Sequence, residues 1–264
     1  FALAVTVSPS LNPVPENGSQ MTKLNTDLKT LFLDIECSMA KFYGYGIFDQ
    51  NIPINHIIEH PRMIAFTAKW YGKRKIHAYS EYHQSRQEML DAMWALLDEA
   101  DVVIGYNSKN FDIKWINSEF AVEGLKPPSP YKQIDLMQEA KRNFRFISRK
   151  LDYLADRILG DNKIDYSMSK MWVIVDNPDT DEATRKREWN AMMKYAKKDT
   201  LLLEPLFEEL LPWIKMPHPA SSLDGLRCRK CGSESLRPNG STLTAEGRYR
   251  KYLCENCGGH TRGT

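Results

Sequence analysis

The sequence predicts an α/β domain built on a mixed sheet, followed by a small cysteine-held tail. Three observations lead there. Short apolar, strand-like runs come first and then alternate with segments of helical period. A stretch rich in proline and serine interrupts that pattern near the C-terminus. Beyond it, four of the five cysteines fall into two close pairs. The 264 residues suffice for one sizeable domain and an appendage, and an apolar fraction of 42% is ordinary for a globular chain. A net charge of +2 leaves any affinity for polyanions to local patches. No run of eighteen apolar residues occurs, so a membrane span is not expected.

Residues 1–20 begin at Phe1 with a short apolar stretch and then turn rich in Pro, Ser and Asn. Met21, Thr22 and Lys23 look like a start, so 1–20 are read as a leader or tag outside the fold. The main domain is expected over 21–214. Leu31 to Glu36 is an apolar run broken by acids, a buried strand. Met63–Tyr71 and Lys75–Ser80 are β-branched and aromatic and flank Gly72, a hairpin. Over 84–100, Met89, Ala92, Met93, Leu96 and Leu97 recur at helical spacing. Val102–Tyr106 predicts a second buried strand, followed by a helix near Phe111–Val122 and a short strand at Ile134–Met137. Ser148 is the expected N-cap of a helix through Leu159, which Gly160 ends. Residues 161–179 read as irregular. A long helix is expected from Asp181 to Leu203, continuing towards Leu211 past Pro205. Residues 215–226 form the linker and 227–264 the tail.

The first chemical signal is Asp34 with Glu36. Alternation along a strand turns both carboxylates to one face. Two uncompensated acids at the end of an apolar strand are costly, and a cation relieves them; hard oxygen ligands suit Mg²⁺ or Mn²⁺. Two acids at a strand edge are the plain alternative. The second signal is Asn107 with Phe111 and Asp112, just after a buried strand, where α/β sheets present ligands. Asp112 at a helix start could equally do no more than stabilise that end. The third is Tyr195 and Asp199, four apart and so on one helix face. Lys194, Lys197 and Lys198 around them leave open a solvated face.

The order Asp-x-Glu, Asn-x3-Phe-Asp and Tyr-x3-Asp resembles the three exonuclease motifs of the DEDD superfamily in its tyrosine subgroup. It is most similar to the proofreading domain of family B DNA polymerases. The resemblance rests on Asp34-Ile35-Glu36-Cys37, on Gly105-Tyr106-Asn107 with Asn110-Phe111-Asp112, and on Ile134-Asp135-Leu136. Lys150-Leu151-Asp152 leading to Leu159-Gly160, and Tyr195 with Asp199, complete it. It covers roughly residues 29–212 and implies a ribonuclease-H-like mixed sheet flanked by helices. By that resemblance Asp34, Glu36, Asp112 and Asp199 hold two Mg²⁺ or Mn²⁺ ions, and Tyr195 positions the attacking water. Asn107 and Phe111 shape the site and meet the terminal nucleotide. The implied activity is 3′-to-5′ exonuclease action on single-stranded DNA ends, releasing nucleoside monophosphates. Polymerase motifs are absent from the sequence, which suggests a proofreading module partnering a DNA polymerase in trans, as in some phage systems. The expected compartment is the cytoplasm, the host's if the chain is phage-encoded. An exoribonuclease, and a non-catalytic adaptor docking a polymerase, remain the alternatives.

Arg142, Arg145, Arg149 and Lys150 interleave with Phe144 and Phe146. Arg145 and Arg149 are candidate phosphate contacts, with the phenylalanines either stacking on bases or packing in the core. In the tail, Cys228-x2-Cys231 and Cys254-x2-Cys257 flank a hairpin-like segment with Asn239-Gly240 and Gly247. Four thiolates in two knuckles match a zinc ribbon, and a full tetrahedral set makes that zinc structural. Its arginines and lysines favour either a nucleic-acid contact or a solvated or protein-docking surface. Cys37 is read as a small buried residue.

Overall fold

The computed structural model describes residues 28–161, 168–214, 225–244 and 247–263, except 47, 49, 176 and 178. The leader reading, and nearly all of the expected linker, therefore lie outside the described residues. Strand β1 (Thr30–Cys37) is the middle of a five-stranded sheet. A small pair, β2 (Lys41–Phe42) and β3 (Ile57–Glu59), follows it. Then come β4 (Met63–Trp70), β5 (Ile76–Ser80), α1 (Arg86–Glu99), β6 (Val102–Gly105), α2 (Asp112–Val122) and β7 (Lys132–Asp135). The order across the main sheet is β5-β4-β1-β6-β7. β4 runs antiparallel to both β5 and β1, while β1, β6 and β7 are parallel, so the sheet is mixed as expected.

Helix α1 starts at a capping box: the Ser85 hydroxyl accepts from the Glu88 N–H and the Glu88 side chain reaches back. The remaining helices are α3 (Leu136–Asn143), α4 (Leu151–Leu159), α5 (Met168–Val175) and α6 (Glu182–Leu210). Three expectations are corrected here. The seventh strand spans Lys132–Asp135, because the Asp135 carboxylate caps α3 at Met137 and Gln138 and turns the chain into a helix. α4 is capped at Lys150, not Ser148; the Ser148 hydroxyl instead accepts from the Lys150 N–H, an extended two-residue turn. Residues 161–179 are not irregular throughout, since α5 forms there and buries Met171 and Val175.

Alternation along β1 divides the core. Leu31, Leu33 and Ile35 pack with Met89, Leu90 and Leu97 of α1 and Ile116 and Phe120 of α2. Phe32 faces the other way, onto Leu203, Leu206, Phe207 and Leu210 of α6. Its ring lies 5.8 Å from that of Phe207, edge-on. Asp34 and Glu36 share the parity of Phe32, so they continue its face towards the end of the strand. Helix α6 runs through Pro205 without ending. An interior proline costs about 3 kcal/mol. Burying Leu202, Leu203, Leu206, Phe207 and Leu210 at roughly 1.5–3 kcal/mol each outweighs it. Phe207 is wholly buried, so Phe207→Ala is expected to lower unfolding free energy by about 3–5 kcal/mol in urea titration. A loss below about 1 kcal/mol would contradict the packing of α6 on β1.

In the tail, β8 (Leu236–Thr244), β9 (Gly247–Cys254) and β10 (His260–Arg262) form a separate three-stranded antiparallel sheet with β9 in the middle. No described helix is long and apolar enough to cross a membrane.

Candidate active site

Helix α6 is fixed over the sheet by polar contacts as well as by its apolar stripe. The Thr67 hydroxyl on β4 donates to the Ala196 carbonyl at 3.0 Å and lies 2.6 Å from the Thr200 hydroxyl. Thr67 pairs directly with Asp34 across the sheet, and Ala65 pairs with Glu36. The turn of α6 that carries Tyr195 and Asp199 is thereby set against the acids of β1. Tyr195, Asp199 and Glu36 are buried, and Asp34 is half-buried. Burial pushes the Tyr195 hydroxyl far above its ordinary titration range; its hydrogen bond to Asp199, and the charges of Asp199, Glu36 and Asp34, push it further. The phenol therefore stays protonated and donates to Asp199.

Asp112 joins the same spot from the other side of β1. Strand β6 pairs only with Thr30, Leu31 and Phe32, so β1 outruns its parallel neighbour. The Ile35 N–H lies beyond that pairing, and the Asp112 carboxylate accepts from it at 3.1 Å. A side chain thus stands in for the missing strand and brings a third carboxylate between the positions of Asp34 and Glu36. Asp112 is 3% exposed. Burial raises its pKa to about 7, against the opposing pull of its own N–H and that of Ile35. It is the first residue of α2, and the N-cap, Phe111, makes no side-chain cap. Burial raises the half-buried Cys37 thiol first, and Asp112, Glu36, Glu119 and Asp34 add to it, so their fields overlap at the end of β1.

One residue of this region carried no assigned role in the sequence reading. Asp135 is 1% exposed and accepts from the Asn107 N–H at 2.9 Å and the Lys109 N–H at 3.2 Å. The same carboxylate accepts from Met137 and Gln138 at the start of α3. Asp135 thus anchors the loop that delivers Asp112. Asn107 sits there at φ 59°, a left-handed conformation that Asn tolerates. Gly105 precedes it where a Cβ would lie 2.6 Å from the Ser108 Cβ and 3.2 Å from the Leu33 carbonyl, so only glycine fits. The readable signal was an Asp at a strand end two residues before a helical segment.

The tail holds a second constellation. Cys228, Cys231, Cys254 and Cys257 are buried, and their sulfurs all lie within 4.8 Å of one another. Backbone N–H groups of Lys230 and Gly259 point at the Cys228 and Cys257 sulfurs, each at 3.4 Å. Gly232 and Gly258 close the two knuckles at φ 78° and 67°. These four cysteines could bind zinc. Among the described residues they are the one group of three or more ligand side chains packed this closely, so the acids stand farther apart than that.

A family model of the RNase_H superfamily matches residues 59–211, more than half of the chain. The chain belongs to the RNase_H superfamily. It is also similar in structure to a family B DNA polymerase from the hyperthermophilic archaeon Pyrobaculum calidifontis, at a TM-score of 0.51 and 18% identity. That similarity covers 70% of this chain and 25% of the polymerase, so the chain spans about a quarter of the polymerase's length. No curated protein matches. The RNase_H match includes Asp112, Tyr195 and Asp199, begins after β1 with Asp34 and Glu36, and ends before the four cysteines.

The other candidates of the RNase_H domain lie around this centre. Phe111 is 41% exposed, edge-on to Trp115. Arg149 is tied through its carbonyl, which accepts from the Tyr106 hydroxyl at 2.6 Å, to the strand end before Asn107. Arg145 and Arg149 are exposed and line a separate cavity of about 180 Å³. Phe144 and Phe146 pack on each other, and Phe144 packs on Trp213, which is the core role. Trp189 is buried and stacked on Tyr82.

Proposed function

We propose that this chain is a metal-dependent 3′-to-5′ exonuclease that hydrolyses phosphodiesters at single-stranded DNA ends. The supporting observation is the Asp112 carboxylate on the Ile35 N–H, which puts a third acid beside Asp34 and Glu36 and opposite Asp199. The donor set fits hard divalent cations: buried carboxylates that repel one another and offer only oxygen. Asp34, Glu36, Asp112 and Asp199 would hold two Mg²⁺ or Mn²⁺ ions, and the wider spread of these acids compared with the cysteines suits two ions better than one. Bound there, such ions activate water and stabilise the leaving oxygen of an in-line displacement. Tyr195 is a donor rather than a base, so its contribution is to orient Asp199 and a water through its hydroxyl. Asn107 and Phe111, at the strand-to-helix turn, would meet the terminal nucleotide, and Arg145 and Arg149 the phosphates behind it. The four cysteines would hold one structural zinc in a ribbon distinct from the nuclease domain. The similarity to a DNA polymerase supports DNA as the substrate, and a polymerase in trans as the partner of a proofreading module.

The deciding assay uses 5′-labelled DNA and RNA oligonucleotides with Mg²⁺ or Mn²⁺. A ladder of 5′-labelled products that shortens one nucleotide at a time, on DNA and not RNA, is the expected result. Internal cuts would refute the exonuclease assignment, cutting of RNA alone would refute the sugar, and full activity in chelator would refute the metal site.

A further inference from the structure

On the far flank of α6 from the acids, a cavity of about 560 Å³ opens between that helix and β5. Clefts that hold ligands fall in the range of about 300–1,000 Å³. Its apolar lining comes from Ile76 and Ala78 of β5 and Met193 and Leu201 of α6. Leu201 is 42% exposed although it sits in the middle of the helix. Lys194, Lys197 and Lys198 line the same space, and no acidic residue does. Lys198 is paired with Asp161 at 2.6 Å; Lys194 and Lys197 are exposed and have no ion-pair partner among the described residues. The positions 194, 197 and 201 form one stripe of α6, about 100° round from the stripe of Tyr195 and Asp199. β5 is the edge strand of the sheet, so one side of its backbone has no neighbouring strand.

We propose that this cavity is a docking site for an extended, acidic segment of a partner protein that carries a large apolar side chain. The charge is one-sided: two uncommitted ammonium groups surround an apolar floor with no carboxylate to neutralise them. The floor takes a side chain and the lysines take the acids beside it. The open edge of β5 offers backbone pairing to an extended chain. A single-stranded nucleic acid fits this site less well, because no aromatic side chain lines it and bases would find no stacking platform. The inference stands apart from the nuclease reading, since it uses neither the acids nor Tyr195.

Fluorescence anisotropy of a labelled Asp-Asp-Asp-Asp-Leu-Phe peptide with the full chain tests it. Saturable binding below about 100 μM is expected. Lys194→Glu with Lys197→Glu, and separately Leu201→Asp, are each expected to weaken it by about tenfold or more. Replacing the Leu-Phe end by Gly-Gly should weaken it to a similar degree. Thermal melts establish that the variants are folded, and Lys194→Gln with Lys197→Gln replaces the reversed pair if that pair unfolds. No binding, equal binding of the Gly-Gly peptide, or unchanged binding by the lysine variants would overturn the proposal. So would oligothymidylate binding that these variants abolish while the peptide does not bind, which would make the surface one for nucleic acid.

Discussion

Asp34→Ala is expected to lower nuclease turnover by about a thousandfold or more while leaving the melting temperature unchanged or raised. Removing one of several buried carboxylates relieves like-charge repulsion in the metal-free protein, so stability has no reason to fall. Asp112 should behave differently, because it serves two ends. Its carboxylate is the acceptor for the Ile35 N–H where β6 has stopped. Asp112→Ala leaves that buried donor unsatisfied and costs about 1–3 kcal/mol of stability as well as activity. Asp112→Asn keeps an oxygen for the N–H but gives up the negative charge a cation needs. It should therefore melt near the wild type and still be as inactive as Asp34→Ala. Oligonucleotide cleavage and thermal denaturation on the three variants separate the two roles. An Asp112→Asn protein with wild-type turnover in Mg²⁺ would remove Asp112 from the metal site and leave it a strand-end surrogate.

Most of the main domain was legible because its elements announce themselves locally. β1 is apolar except at two positions of equal parity, and α6 keeps a helical stripe on both sides of Pro205, so burial overrules the proline. What escaped was short or compositionally mixed. α3 spans eight residues, of which Leu136 and Ala140 are buried, too few for a periodic signal. In α5 the run Met171 to Val175 is apolar nearly throughout, which hides the period that buries Met171 and Val175. The Lys150 cap was missed because Ser148 is the better capping residue by type, and only the backbone turn decides between them. For the site, the acids were readable by spacing, since a pair two apart on a strand and four apart on a helix each define a face. Their meeting was not, because Ile35 and Asp112 are 77 residues apart and joined by one hydrogen bond. Nor was Thr67, whose polar side chain in an apolar strand gains meaning only when Ala196 and Thr200 arrive above it.

Removing a zinc ligand should act on the tail alone. Its sheet is short and its central strand β9 carries exposed Arg248 and Arg250, so apolar burial does little to hold it. Four buried sulfurs within 4.8 Å of one another are at the same time the densest cluster of donor atoms among the described side chains. Without an ion, that many thiols packed together would be poorly compensated; with one, they form a closed shell. The purified chain is therefore expected to contain about one zinc per molecule by elemental analysis. A strong chelator or Cys257→Ser should release it. Amide protection across β8, β9 and β10 should then be lost, because in so small a unit metal binding and folding are one equilibrium. Phe32, Phe207 and the strands of the main sheet should keep their protection, since their core is apolar and assembled around β1 and α6. Hydrogen exchange read by mass spectrometry distinguishes the two halves in one experiment. A zinc-free preparation with a fully protected β9 would show that the cysteines pack as ordinary buried thiols. Loss of protection throughout the chain would show instead that the tail is part of the main core.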